Sequence, residues 1–307
     1  FRKWYGNNNC VLNYEKNGKT LCDYIDNTPG VRVKSNGRII NKDKYFLKGI
    51  TWGKISSGDL SVRMDFGGFI PSDAGMKIYS KHDNRLYMSL SLMNSKVCKY
   101  LIKCLSETVN FEQGTISKIP VISSINTNIN SLINLSKIDW DSRETSWDFN
   151  ELPLISHGKI SDNLEESYNY LRTYWKEIVQ DTQRLEEENN KLLIDSYGFQ
   201  NELTPDLSIN EITLTCNPAY RYGSKETKEK QEQRLRSDTI KEFISYSVGC
   251  MFGRYSLDKP GLILANQGDT LEDYLRIVPK PSFLPDDDNV IPILDLDWFE
   301  DDITARF

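Results

Sequence analysis

The amino-acid sequence predicts an α+β protein, in which a β-rich region is followed by a mostly α-helical region with one long helix. Residues 1–86 contain short β-prone runs, and turn signals such as Gly67-Gly68 separate these runs. From Tyr87 onward, apolar residues recur at helical spacing instead. The runs that predict strands are VRVKS, RIINK, KYFLKGITWG, LSVRMDFGGFI and KIYS.

The helical pattern after Tyr87 is interrupted at Asn94-Ser95, which predicts the end of one helix and the N-cap of the next. This block, LMNSKVCKYLIKCLSE, leads into NFEQGTISKIPV and then into an Asn/Ser-rich spacer. We expect TISKIPVI, which follows Gly114, to be a strand that Pro120 limits to a sheet edge or a strand end.

A long helix is predicted from Ser161 or Asp162 to about Leu193. Three glutamates, residues 186–188, lie in its middle, and we interpret them as a solvated helix face rather than an acidic docking surface. The later segments predict a short strand over Glu211–Thr215 and a helix from Asp238 to about Tyr255, in which Gly249 and Gly253 indicate close helix packing.

Charge divides the chain more sharply than its net value of −6 suggests. Residues 1–120 hold 19 Lys/Arg and 10 Asp/Glu, a net charge of +9, whereas residues 121–307 hold 19 and 34, a net charge of −15. This asymmetry indicates that the first region meets a polyanion, although two independently solvated surfaces would also produce it. We expect a first domain over residues 1–135, a connector over 136–160 and a mostly helical domain over 161–307.

Composition argues against several classes of protein. No apolar run approaches the roughly 20 residues that span a bilayer, so we expect no membrane association and a cytoplasmic location. The six cysteines form no C-x-x-C pair and only two histidines are present, so we expect no metal site and reduced thiols. Because the chain opens on FRKWYGNNN without a methionine, we expect Phe1 to be a cut inside a longer polypeptide.

Two segments resemble catalytic motifs but lack the partners that catalysis requires. TCNPAYRY places Asn217 after a strand-like run, as the N-P-P-Y loop of amino-methyltransferases does, but Ala219 replaces the second proline. The chain also lacks the glycine-rich loop that admits a methyl donor, so we expect no catalytic residue and no bound cofactor here. The acidic tail, with Asp286 to Asp288, lacks the nearby lysine of a magnesium-dependent nuclease site.

The basic region contains a more coherent set of residues between Phe46 and Arg63 and just beyond. Lysine and arginine neutralise phosphates, serine hydroxyls fix register, and arginine can pair with guanine. We therefore predict a DNA-binding surface formed by Lys48, Trp52, Lys54, Ser56, Ser57, Arg63, Lys77, Lys81 and Arg85.

The block order also carries a family resemblance across essentially the whole chain. LMNSKVCKYLIK followed by NFEQGTISKIPV is similar to the end of target recognition domains in adenine-specific DNA methyltransferases and restriction specificity subunits. The later blocks resemble the PglX-type methyltransferases of BREX phage-resistance systems: WDSRETSWDF, EENNKLLIDSYGFQNELTPD, YSVGCMFGRYSLDKPGLILANQGDTLEDY and DNVIPILDLDWFEDDI.

The resemblance implies that residues 1–135 are a target recognition domain and that the chain is the C-terminal part of a larger enzyme. That parent would methylate adenine N6 with S-adenosylmethionine in an N-terminal domain and thereby label host DNA as self, while the BREX system blocks unmarked phage. The implied partners are double-stranded DNA, that N-terminal domain and other BREX subunits. Two alternatives stay open, namely the specificity region of a type II restriction-modification enzyme and a partner-docking scaffold that does not bind DNA.

Overall fold

The computed structural model describes residues 2–56, 58–105, 110–122, 129–157, 163–294 and 302–307. The chain forms two compact units, and it leaves the first and returns to it within long helices. Unit 1 comprises Phe1–Lys137 and Thr182–Leu207, and unit 2 comprises Ile138–Asp181 and Ser208–Phe307. The α+β class with one long helix is confirmed. Among the described residues, no helix is both long and apolar enough to cross a membrane.

Unit 1 is built on an antiparallel sheet of three short strands, in the order β2-β1-β3. The strands are β1 (Gly49–Gly53), β2 (Val62–Asp65) and β3 (Gly75–Tyr79). The helices of this unit, or the parts that lie in it, are α1 (Glu15–Asn27), α2 (Ser35–Arg38), α3 (Asp83–Met93), α4 (Lys96–Leu105), α5 (Gln113–Ile116), α6 (Asn130–Asp141) and the second half of α8 (Leu164–Tyr197).

One apolar core unites the sheet of unit 1 with its helices. Ile50, Trp52 and Val62 from the strands pack in one buried cluster with Leu90 of α3 and Leu193 of α8. Burying a side chain of this size contributes roughly 1.5–3 kcal/mol, so these long-range contacts hold the short strands together. The strand pattern therefore needs a helix from the second half of the chain to complete its core.

The outer edge of β2 is covered by the start of the chain and by the break between α3 and α4. Trp4 donates its backbone N–H to the Val62 carbonyl at 2.9 Å and accepts from the Met64 N–H at 2.7 Å. The side-chain amide of Asn94 bonds both the N–H and the carbonyl of Val62, each at 2.9 Å. The helix break predicted at Asn94-Ser95 is confirmed, and its asparagine satisfies an otherwise open sheet edge.

The glutamates of α8 were interpreted wrongly as a solvated face. Glu186 is buried, and its carboxylate accepts from Lys3 Nζ and from the Trp4 indole N–H, both at 2.7 Å. Glu187 accepts the Leu207 N–H at 2.9 Å, whereas Glu188 makes an exposed pair with Arg184. Two of the three carboxylates thus have internal roles in unit 1.

Unit 2 is helical in the part of the chain that the structure describes. A buried aromatic stack joins its elements, because the rings of Tyr246 and Tyr255 lie parallel at 4.9 Å and Phe149 meets Tyr255 edge-on at 5.4 Å. Its further helices are α7 (Pro153–Ser156), the first half of α8, α9 (Pro218–Arg221), α10 (Lys228–Met251), α11 (Leu271–Ile277) and α12 (Ile303–Arg306).

Several predicted elements differ from the structure. TISKIPVI contains part of the short helix α5, and VRVKS and RIINK form no strand. EITLT is a 3₁₀ turn and a loop, because the buried carboxylate of Asp139 takes the backbone N–H groups of Thr215 and Cys216 at 2.8 Å each. A strand would need those same groups for its ladder. The caps predicted at Ser161 and Asp162 lie outside the described residues.

Gly249 lies in α10, whereas Gly253 lies two residues beyond the end of α10, so the two glycines do not form a packing motif on one helix. Gly249 faces the Tyr255 ring, where a Cβ would approach within 2.6 Å, and Gly253 ends the helix in the left-handed conformation with φ of +69°. These positions require glycine because one admits an aromatic ring and the other reverses the chain.

Candidate DNA-binding surface

The register of the sheet brings three chain segments to one end of unit 1. Gly49, the first residue of β1, lies opposite both Asp65, the last residue of β2, and Tyr79, the last residue of β3. The residues that precede β1 and follow β2 and β3 therefore meet at this end. We call the side chains they carry the sheet-end surface, and its members are Phe46, Leu47, Lys48, Phe66, Lys81 and Arg85.

Lys48 lies at the centre of the sheet-end surface. Its ammonium pairs with Asp83 at 2.9 Å and stands over the Phe66 and Tyr87 rings, 5.8 Å and 5.4 Å from their centroids. The hydrogen bond with Asp83 raises the pKa of Lys48, so the side chain stays charged at neutral pH. Its side chain is 29% exposed, which leaves the cation within reach of an anion in solvent.

Lys77 supports this end of the sheet from inside. Its ammonium pairs with the buried carboxylate of Asp65 and donates to the Leu47 carbonyl at 2.5 Å, and its side chain is 2% exposed. The lysine stem crosses Gly49, where a Cβ would also lie 2.4 Å from the Ile78 carbonyl oxygen. Lys77 therefore fixes the position of the segment that enters β1, and the structure places its charge away from solvent.

Lys81 and Arg85 lie just beyond β3, on the loop and first turn that lead into α3. Both are exposed, and neither pairs with an acid within the described ranges. They are the exposed members of the predicted set as far as the structure describes it. Since free cations at a surface can exchange small counterions for phosphates, these two are suited to contact a polyanion.

Three other members of the predicted set are buried in the sheet or beside it. Trp52 is 1% exposed and donates its indole N–H to the Phe111 carbonyl at 2.9 Å. Ser56 is buried and accepts the Gly58 N–H at 3.1 Å. Arg63 is also buried, and its guanidinium donates to the Arg2 carbonyl at 3.4 Å. Ser57 lies outside the described residues.

Lys54 lies at the opposite end of the sheet. It follows Gly53, donates its backbone N–H to the Ala74 carbonyl and sits 3.8 Å from the Glu112 carboxylate. Five residues of β1 separate the two ends, a distance of about 16 Å at the usual rise per residue. The structure therefore brings Lys48, Lys81 and Arg85 to one end and leaves Lys54 and Ser56 at the other.

Sequence reasoning missed the apolar side chains of the sheet-end surface. Phe46, Leu47 and Phe66 are 48%, 45% and 49% exposed, although each is flanked by a strand that contributes to the core. A usable signal was the Gly67-Gly68 turn, which places Phe66 at a reversal of the chain. The residue type of Phe46 gave no indication of its backbone conformation.

The motif around Asn217 has a structural role in unit 2. The Asn217 amide donates to the carbonyls of Ile209 at 2.7 Å and Ile212 at 2.9 Å, and its oxygen accepts the Ala219 N–H at 3.2 Å. The side chain is buried, and both of its donors are used. It therefore caps α9 and has no free N–H group to offer a substrate.

In the described part of the acidic tail, Asp286 likewise has a structural role. Asp286, Asp287 and Asp288 approach one another closely enough to share an ion. However, Asp286 is buried, pairs with the Arg306 guanidinium at 2.5 Å and accepts the Val290 N–H at 3.0 Å. These partners account for the Asp286 carboxylate without a metal.

All six cysteines lie among the described residues and are free thiols. Cys98 and Cys250 are buried, and burial raises the pKa of Cys98 to about 12 and that of Cys250 to about 11. Thiols with such pKa values are protonated at neutral pH and behave as small apolar side chains.

No family model matches the chain, but it is similar throughout its length to curated methyltransferases. It is 35% identical over 315 residues to the adenine-specific methyltransferase BrxX of Escherichia coli O9:H4 (strain HS), covering 99% of this chain and 24% of that protein. It is 31% identical over 316 residues to the adenine-specific methyltransferase PglX of Lacticaseibacillus casei (strain Zhang), covering 100% and 24%. The chain thus spans about a quarter of the length of the curated relatives it matches.

Proposed function

Because the chain belongs to the BrxX and PglX family of adenine-specific methyltransferases, as a segment of about a quarter of a member, we propose that its unit 1 binds duplex DNA. In this proposal, unit 1 positions the target adenine for a catalytic domain that lies in another part of the parent enzyme. The catalytic domain would bind S-adenosylmethionine and transfer its methyl group. The partners of the chain would then be double-stranded DNA, that catalytic domain and other BREX subunits, in the cytoplasm and in the service of phage defence.

The sheet-end surface is the observation that carries this proposal. It combines three cations, Lys48, Lys81 and Arg85, with apolar side chains in the unit that holds the positive charge. Unit 1 has 22 Lys/Arg and 16 Asp/Glu, a net charge of +6, whereas unit 2 has 16 and 28, a net charge of −12. A basic surface of this kind attracts a polyanion over a distance of about one Debye length, roughly 10 Å at 0.1 M salt.

The division of labour between this chain and the rest of the parent has a chemical basis. Base methylation needs a group that holds the exocyclic amine, and Asn217 spends its amide on capping α9. A recognition unit needs only surface cations, hydrogen-bonding groups and a defined shape, which unit 1 has. This supports placing recognition in the chain and methyl transfer outside it.

Replacement of Lys81 and Arg85 by glutamine tests the proposal. Each phosphate contact contributes about 0.9 to the slope of log K against log salt, so the double variant should lower that slope by about 2. Affinity for a pool of random-sequence duplexes should fall by about tenfold or more at 0.1 M salt. Filter binding across a salt series measures both quantities. Arg63 is a poor test residue because it is buried beside β2.

The matched control neutralises two exposed lysines of unit 2, Lys225 and Lys230, by the same substitution. It changes the net charge equally, so a general charge effect would lower binding in both variants. A salt slope that is unchanged in the Lys81 and Arg85 variant would exclude this surface as the DNA-binding one. Absence of duplex binding by the unsubstituted protein would favour the scaffold alternative.

A further inference from the structure

The entry into β1 contains an aromatic residue in a strained backbone conformation. Phe46 has φ of +63°, in the left-handed region that residues with a Cβ, and bulky ones above all, adopt at an energetic cost. Its N–H donates to the Phe69 carbonyl at 3.0 Å, and its carbonyl accepts the Gly68 N–H at 3.1 Å. Two backbone hydrogen bonds therefore hold the strained residue in place against the loop that follows β2.

Aromatic neighbours brace Phe46, yet half of its side chain remains in solvent. Its ring meets Tyr14 edge-on at 5.7 Å and Tyr45 at 6.4 Å, and these two rings contact each other at 5.7 Å. Despite this support Phe46 is 48% exposed, and the next residue, Leu47, is 45% exposed. The hydrogen bonds and ring contacts thus hold an apolar pair that faces solvent, whereas burial would have been the favourable arrangement.

Cations surround this apolar pair. Lys48 follows it directly, stands over the Phe66 ring and pairs with Asp83, and Lys44 lies two residues before Phe46, half exposed and paired with Asp43 at 2.8 Å. Lys81 and Arg85 lie at the same end of the sheet. A solvent-exposed apolar centre with a cationic rim matches duplex DNA, in which phosphates flank a stack of apolar base faces. Side chains such as Phe and Leu enter base steps from protein surfaces of this composition.

We propose that Phe46 and Leu47 form a wedge that inserts at a base step of the bound duplex and unwinds it. The inference rests on the proposed function, since it requires unit 1 to bind DNA. In this arrangement Lys48, Lys81 and Arg85 hold the two backbones, and Phe46 and Leu47 act as positioning residues that distort the helix. The preset conformation of Phe46 lowers the entropic cost of insertion, because the side chain is already directed outward before DNA arrives.

Plasmid unwinding tests the wedge without knowledge of the target sequence. Closed circular plasmid is relaxed by a topoisomerase in the presence of the intact methyltransferase, and the shift in linking number is measured at equal DNA occupancy. The variant carries Phe46→Gly and Leu47→Ser. Glycine accepts the left-handed conformation at no cost, so the loop keeps its shape. The matched control is Ile55→Ser, which removes an exposed apolar side chain at the opposite end of the sheet.

The unsubstituted enzyme and the Ile55 control are expected to shift the linking number equally. The wedge variant should lose most of that shift, and its affinity should fall by roughly tenfold, because the contacts of its apolar side chains with the bases are lost. A variant that unwinds as much as the unsubstituted enzyme at equal occupancy overturns the wedge and assigns the patch to a protein or lipid partner. If the unsubstituted enzyme binds plasmid without unwinding it, the wedge fails and the proposed function stands. If it does not bind plasmid, both fail.

Discussion

The two units of this chain use buried charge in different ways. In unit 1, buried carboxylates pair with lysines, as Glu186 does with Lys3 and Asp65 does with Lys77. In unit 2, the buried carboxylate of Asp139 accepts from backbone N–H groups and fixes a loop, and that of Asp286 takes both the Arg306 guanidinium and the Val290 N–H. The first arrangement joins distant parts of a small sheet, while the second shapes the connections between helices. Both units thus use buried carboxylates to join segments that are distant in sequence, and they differ in the donor, which is a lysine around the strands of unit 1 and backbone N–H groups between the helices of unit 2.

The net charge of the basic region is smaller when it is counted over unit 1 than when it is counted over residues 1–120. Residues 182–207 bring six acids and two bases into unit 1 and lower its net charge to +6. Glu186 and Glu187 among these acids are bonded to internal groups of the unit. Their charge is therefore compensated inside unit 1, which leaves its exposed cations to dominate the sheet-end surface.

The largest expected effect comes from Glu186→Ala, which breaks the link between α8 and the start of the chain. The substitution removes the buried carboxylate that accepts from Lys3 and from the Trp4 indole N–H, so we expect a loss of about 3–5 kcal/mol in the free energy of unfolding. Urea unfolding followed by tryptophan fluorescence measures it.

Glu188→Ala is the control for Glu186, since it removes a neighbouring carboxylate whose pair with Arg184 is exposed. We expect a change within about 0.5 kcal/mol, as for exposed ion pairs generally. Equal effects of the two substitutions would show that α8 does not hold unit 1 together through Glu186.

An intermediate effect is expected for Asn217→Ala in unit 2. It removes two donors from buried carbonyls and the cap of α9, which should cost about 1–3 kcal/mol. The methyl transfer that we propose for the intact enzyme, measured below the unfolding temperature of the variant, should not change. Asn266→Ala, at an exposed hydrogen bond to Asp269, should be close to neutral. Loss of methyl transfer in a folded Asn217 variant, with the Asn266 variant still active, would make Asn217 a catalytic candidate again.

The smallest effect is a pH dependence carried by Glu232 of unit 2. Two hydrogen bonds from the Arg172 guanidinium, each of 2.7 Å, hold the pKa of Glu232 below its ordinary value near 4.5. The pair therefore contributes stability above that ordinary value and loses it as the pH falls through the lowered pKa. In the Glu232→Gln variant, the free energy of unfolding should decline less steeply below about pH 4.5. The difference should be less than about 1 kcal/mol, because solvent screens the pair, and urea unfolding across a pH series measures it.

Glu272→Gln provides the comparison for Glu232, since Glu272 is exposed on α11 and makes no ion pair among the described residues. The stability of the Glu272→Gln variant in acid should follow that of the unsubstituted protein. If the profile of Glu232→Gln coincides with those of the unsubstituted protein and of Glu272→Gln, the pair of Arg172 and Glu232 does not contribute to the pH dependence of stability.

Hydrophobic periodicity and turn residues predicted those elements whose conformation depends on residues close in sequence. The helix break at Asn94-Ser95, the long helix α8 and the strands around Ile50, Val62 and Ile78 all follow from periodicity and turn residues. EITLT has the composition of a strand, but Asp139, more than 70 residues away, takes its N–H groups. A pattern of apolar residues contains no information about such a distant partner.

The candidate DNA-binding surface was also predictable from the sequence only in part. The sequence indicated a basic region between Lys48 and Arg85, and the exposed cations do lie there. It could not distinguish Lys81 from Lys77, because the carboxylate that pairs with Lys77 belongs to β2, on the other side of β1. Nor could it show that Trp52 and Arg63 are enclosed, since the covering Trp4 segment and α3 reach the sheet only in the folded chain.

The sequence by itself determined the α+β class, the division of charge and the family to which the chain belongs. These properties are carried by composition, periodicity and residue order, which exist before folding. The tertiary structure alone decided which cations are free and which acids are internal, as with Glu186. It also decided that Phe46 is directed outward in a strained conformation. The physical reason is that burial and pairing are properties of positions brought together across the chain, and a one-dimensional pattern does not specify which positions meet.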